Sequence, residues 1–276
     1  GWNFIGTTAA ILRTQGGNII INMFAGPVVN ASRGVANQVN NAITGFASNF
    51  ITAIRPQITK SYAAGNIDYM TTLVVQGARL SYYMLFILSL PIIININFIL
   101  NLWLKDIPDR ADIFVILTIV FTMIETLSNT LITAQLATGK VRNYQLIVGG
   151  INMLNLPISY ILLKLGCLPE VFLYVAITLS IMCLIARLIM LKQNIVGFSI
   201  STFLHKVVIN CLMVTVVALS ISIILKNLLP CTFVGFFLSV ISCLIFTEFV
   251  ILKVGCDKKE REYMILAVRK VKNKFI

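Results

Sequence analysis

Eight apolar stretches follow one another along this chain, over residues 2–24, 28–59, 71–104, 113–137, 144–165, 171–191, 203–225 and 233–252, each joined to the next by a short connection. An α-helix needs about 20 apolar residues to cross the roughly 30 Å hydrocarbon core of a bilayer, and each stretch meets that length. In lipid the backbone must satisfy its own hydrogen bonds, so runs of this kind fold as helices packed against one another. The sequence therefore predicts an all-α, polytopic transmembrane helical bundle of about eight spans. Short joins favour antiparallel neighbours.

Composition agrees. Only 12% of the residues are charged, about half the share in soluble domains, and the mean hydropathy is +0.91. The net charge of +12 does not point to nucleic acid, because the basic residues cluster at the ends of the apolar runs, where they set topology. If the turns after the second, fourth, sixth and eighth spans face the cytoplasm, sixteen basic residues lie on that side and four (Lys105, Arg110, Lys164 and Lys226) on the other. Arg79 and Arg187 are counted among the sixteen. Arg13 and Arg33 fall inside spans. The six cysteines lie singly in or beside apolar runs with no C-x-x-C, and His205 is the only histidine. They read as packing residues, and no metal site or cofactor is expected. Asp106, Asp109 and Asp112 read as a hydrated loop capping the next helix. Residues 255–276 form a basic tail in which Met264, Val268, Val271 and Phe275 share a helical face. Such a tail suits a helix on anionic membrane lipids or, more plainly, a solvated stop. The first residue is Gly and the first span follows at once, so the chain is expected to be the C-terminal part of a longer protein.

Polar side chains in lipid are costly, about 2.5–3.5 kcal/mol for a central Arg on insertion scales, so their distribution is informative. In the second span Asn30, Arg33, Asn37, Asn41, Thr44 and Ser48 recur at helical spacing on one face. The first span carries Asn3, Thr7, Thr14, Asn18 and Asn22 at similar spacing, with Arg13 and Gln15 beside them. The fourth has Thr122, Glu125, Asn129 and Thr133, and the fifth has Asn152, Asn155 and Ser159 around Pro157. Four helices with polar faces imply a shared aqueous cavity; the alternative is hydrogen bonding between helices. Arg33 reads as an anion ligand or as an arginine snorkelling to the interface. Arg13 divides between cavity and structure. Glu125 reads as a proton or sodium carrier, or as the ionic partner of Arg33 or Arg13.

Three passages carry a family resemblance: ASRGVANQVNNAITGFASNFITAIRPQITKSYAAGN, QLATGKVRNYQ and INMLNLPISYILLKLG. The chain resembles the C-terminal half of a bacterial Wzx-type polysaccharide flippase, of the multidrug/oligosaccharidyl-lipid/polysaccharide exporter superfamily. The resemblance implies that residues 1–191 form a six-helix lobe and that 192–254 add two further helices. An N-terminal lobe would lie outside this chain. It implies residence in the bacterial inner membrane and alternating-access flipping of undecaprenyl-diphosphate-linked oligosaccharide for surface polysaccharide or O-antigen synthesis, beside polysaccharide polymerase machinery. Under it, Arg33 and Arg13 would hold the diphosphate or acidic sugars, and Asn18, Asn37, Asn41 and Asn129 would hydrogen-bond sugar hydroxyls. Ala31-Ser32-Arg33 matches an A-x-R pattern of the related lipid II flippases. Glu125, as an ion-coupling site, has no such match.

Three other readings stand beside this one. A multidrug exporter of the same superfamily favours a carboxylate-rich, aromatic cavity. An enzyme acting on polyprenyl lipids needs a large outer loop or an Asp/His cluster, and the chain shows neither, so no enzymatic activity is expected. A purely structural membrane subunit is the last.

Overall fold

The computed structural model describes residues 3–230, 232–257 and 260–261. Among them the chain is almost entirely helical, with short turns between helices and no strand. The helices are α1 (Asn3–Ile11), α2 (Gly17–Ala63), α3 (Ile67–Ile94), α4 (Ile96–Trp103), α5 (Ala111–Ala137), α6 (Val141–Met153), α7 (Asn155–Lys164), α8 (Val171–Asn194), α9 (Ile200–Phe203), α10 (Asn210–Leu228) and α11 (Phe233–Val250). Wider π-helical turns link α1 to α2 and α9 to α10 and extend α11 to Gly255.

Among the described residues six helical segments are long and apolar enough to cross a membrane: Ile67–Ile94, Ala111–Ala137, Val141–Lys164, Val171–Asn194, Ile200–Leu228 and Phe233–Gly255. They coincide with the last six of the expected spans, and the chain is a multi-pass membrane protein. The two spans expected over 2–24 and 28–59 are helical, but α1 is short and α2 is diluted by Arg33 and its asparagines, so neither meets that measure.

Two proline-linked breaks shape the spans. Pro157 has no N–H to offer the carbonyl four residues back, and the fifth span divides at Leu154 into α6 and α7. The third divides at Asn95, four residues after Pro91.

Between the first two expected spans the helix continues to Gly26, which sits at φ 81°, ψ 176°, a conformation open to glycine and strained for other residues. There the chain doubles back. In an unbroken helix Thr14 and Arg33 would lie about 28 Å apart along the axis. Instead the Arg33 guanidinium donates to the Thr14 carbonyl at 3.1 Å.

The core lies where α2, α3, α5 and α8 meet, filled by side chains such as Ile58, Phe86, Phe114 and Leu131. Gly77 lets α3 and α5 approach closely enough for Thr130 to donate to the Val74 carbonyl at 2.9 Å. The last two long helices, α10 and α11, pack on each other and on α3. A buried ionic node ties their basic-side ends to α3. The Arg79 guanidinium bridges both carboxylate oxygens of Glu260, lies 3.7 Å from Asp257, and donates to the Lys206 carbonyl at 3.4 Å. The sequence counts Arg79 as a loop charge, whereas it is 2% exposed. The tail helix expected over Met264–Phe275 lies outside the described residues.

Candidate functional site

A cavity of about 490 Å³ opens among α1 and its π-turn, α5, α6 and α8, lined by Arg13, Glu125, Tyr144, Gln145, Asn152 and Arg187 with small and apolar neighbours. Its residues come from the first half of the Val141–Lys164 segment and from the middle and later turns of α5 and α8, so it sits in the half of the bundle nearer the end rich in basic residues. Local sequence explains the opening. Gly6 and Gly149 carry no side chain into the space between α1 and α6, and apolar Ile132 and Val148 form part of the wall.

The charged groups are held from several helices at once. Arg13 donates to the Asn152 carboxamide oxygen at 3.1 Å, and its guanidinium lies 4.8 Å above the centre of the Phe121 ring. That arrangement gives a half-buried cation both a hydrogen bond and a π face. Asn152 is fixed in turn by donating to the Val148 carbonyl at 2.9 Å.

Glu125 accepts a hydrogen bond from the Ser180 hydroxyl and lies 3.9 Å from the Arg187 NH1 nitrogen. Arg187 donates through Nε to the Tyr144 hydroxyl at 3.3 Å. It is 4% exposed, and among the described residues its NH1 nitrogen has no hydrogen-bond partner beyond the longer ionic contact with Glu125. Two guanidinium groups against one carboxylate leave the cavity with a net positive charge and an unsatisfied donor. It is suited to an anionic or hydroxyl-rich ligand.

The residues singled out from the sequence separate into two groups. Arg13 and Glu125 share the cavity, but Glu125 faces Arg187 rather than Arg33. Arg33 lies elsewhere, 6% exposed, with its guanidinium 4.7 Å above the Phe172 ring and bonded to the Thr14 carbonyl. Gly17 beside it leaves room for that guanidinium. The neighbouring Ser32 hydroxyl donates to the Asp109 carbonyl at 2.6 Å. Both residues clasp the hairpin around Gly26 to the rest of the bundle.

Asn18 donates to Gln15 at 3.4 Å on the same helical stretch. Asn37 is half-buried and Asn41 exposed on α2, and Asn129 is half-buried one turn past Glu125 on α5. None of these four asparagines lines the cavity. The expected cavity is thus walled by the first, fourth and fifth spans, with the sixth in place of the second. Arg187 and Tyr144 are the residues that sequence reasoning missed. The available signal was an arginine two turns inside the end of an apolar helix, which a count of loop charges absorbs.

Asn155 and Ser159 bond to each other at 3.1 Å beside the Pro157 break, away from the cavity. At the opposite end, Arg110 donates to Glu170 at 2.6 Å, and this contact holds the guanidinium pKa above its ordinary value. Comparison with known protein families, with curated proteins and with solved structures finds no match for the chain.

Proposed function

We propose that the chain is the cargo-handling C-terminal lobe of a transporter that flips undecaprenyl-diphosphate-linked oligosaccharide across the bacterial inner membrane, of the Wzx flippase type and with eight spans in this part. The observation that carries the reading is the cationic cavity. Arg13, half-buried, and Arg187, buried beside Glu125, line it together. A diphosphate or an acidic sugar offers acceptors to Arg13, the more open of the two guanidinium groups, while Asn152 and Gln145 line the same space. Glu125 moderates the charge and is the group on which ion coupling would act. In this reading Arg33 shapes the lobe, and Asn37 and Asn41 on α2 face the other lobe of the transporter.

The test is Arg13→Gln in the full-length protein, which keeps a donor for Asn152 and removes the charge. The expected result is at least about a tenfold loss of surface polysaccharide, with lipid-linked oligosaccharide accumulating inside and protein levels unchanged. Normal polysaccharide at normal protein level would overturn the reading. A multidrug exporter, in contrast, would show raised drug susceptibility on deletion and intact polysaccharide.

A further inference from the structure

A second cavity, of about 460 Å³, lies at the opposite end of the molecule, where α3 gives way to α4 and where α10 ends and α11 begins. Its frame is rigid. The buried Asn95 carboxamide, at the helix break, donates to the Pro91 carbonyl at 3.0 Å and to the Ser239 hydroxyl of α11 at 3.2 Å. The Lys226 ammonium, from the last turn of α10, donates to the Ile94 carbonyl freed by the same break. Thr232 caps α11 by accepting from the Gly235 amide at 3.2 Å.

The lining has a consistent chemistry. Lys226 has two further N–H donors, and Asn97, Asn101 and Asn227 add carboxamides. The first turn of the 18-residue α11 contributes the positive end of its dipole. Among the described residues no carboxylate lines the cavity. Phe98 and Phe236 stack within it, ring centroids 4.5 Å apart. Beside them Phe233, Phe237, Leu102 and Trp103 all lie about half exposed or more, on surfaces that a bilayer would cover. This is the end with few basic residues, the one the charge distribution assigns to the outer leaflet.

We propose that this cavity binds the phosphate headgroup of an anionic lipid of the outer leaflet, whose chains lie over Phe233 and Phe237. A phosphate answers the ammonium and the helix terminus together, whereas a neutral sugar would leave both without a counter-charge. The proposal is independent of the cargo cavity and of the flippase reading.

The test uses the full-length protein, purified and delipidated in detergent, titrated with dioleoylphosphatidylglycerol and followed by native mass spectrometry. Dioleoylglycerol, with the same chains and no phosphate, and maltohexaose, a soluble neutral sugar, are the comparison ligands. Lys226→Gln keeps a donor for the Ile94 carbonyl and removes the charge; Asn101→Ala removes one amide; Lys164→Gln alters a lysine outside the cavity. The expected result is tighter binding of phosphatidylglycerol than of dioleoylglycerol. Its affinity should fall about tenfold in Lys226→Gln, about threefold in Asn101→Ala, and not at all in Lys164→Gln. Equal binding of the two lipids, or phosphatidylglycerol binding unchanged in both cavity variants, would overturn the proposal. Maltohexaose binding that depends on Lys226 and Asn101, with phosphatidylglycerol indifferent to them, would replace the lipid by a sugar.

Discussion

Arg187 on α8 faces Glu125 on α5 at 3.9 Å, with the Tyr144 hydroxyl on one side of the pair and the Ser180 hydroxyl on the other. The arginine is almost wholly buried, whereas a quarter of the glutamate side chain is open to the cavity. This asymmetry decides how the pair responds to mutation. Water can reach a glutamate left alone, but not an arginine left alone.

Glu125→Gln is therefore expected to destabilise the protein by about 2–3 kcal/mol, below the range for a fully enclosed pair because the carboxylate is partly hydrated. Arg187→Met should cost less, and the double variant should recover more than half of the loss from Glu125→Gln. Thermal unfolding in detergent reads all three. Strict additivity of the two single losses would mean that the charges do not interact.

Gly77 is a test of close packing. A Cβ there would meet the Thr130 methyl at 2.9 Å, while the Thr130 hydroxyl is committed to the Val74 carbonyl. Gly77→Ala should cost about 1–3 kcal/mol. Adding Thr130→Ser removes the methyl, keeps the hydrogen bond and should restore most of the stability. Unfolding midpoints of the single and double variants decide the matter.

Gly26 and Gly45 both have open space where a Cβ would sit, yet they should respond oppositely. Gly26→Ala forces an alanine to positive φ and should cost about 1–3 kcal/mol. Gly45 is in regular helix, so Gly45→Ala should stabilise by about 0.5–1 kcal/mol. Equal shifts in melting temperature would contradict the hairpin at Gly26.

Arg79→Lys keeps the charge of the buried node but loses the second guanidinium nitrogen that donates to the Lys206 carbonyl while the first holds Glu260. A loss of about 1–2 kcal/mol is expected. Hydrogen exchange should rise first at the basic-side ends of α10 and α11, which the node ties to α3. Uniform exchange across the bundle would show that Arg79 acts elsewhere.

Hydropathy made most of the architecture legible, because each apolar run reports on its own solvent. The six long segments from Ile67 onward fall where the sequence places them. The polar faces of the first, fourth and fifth spans were legible for the same reason, and with them Arg13, Glu125 and Asn152. Arg33 was legible as a buried polar residue but not as a clasp, since nothing in its own helix announces Phe172 or the Thr14 carbonyl.

What the sequence alone determined is thus membrane residence, helical content and the residues that break the apolar rule. Only the tertiary structure decided which of them meet. It turned the chain at Gly26, took Arg187 out of the loop charges, set it against Glu125, and left α2 out of the cavity wall. The physical reason is one of range. Hydrophobic periodicity is a property of one helix in its solvent, whereas pairing a buried charge depends on the packing of helices distant in sequence.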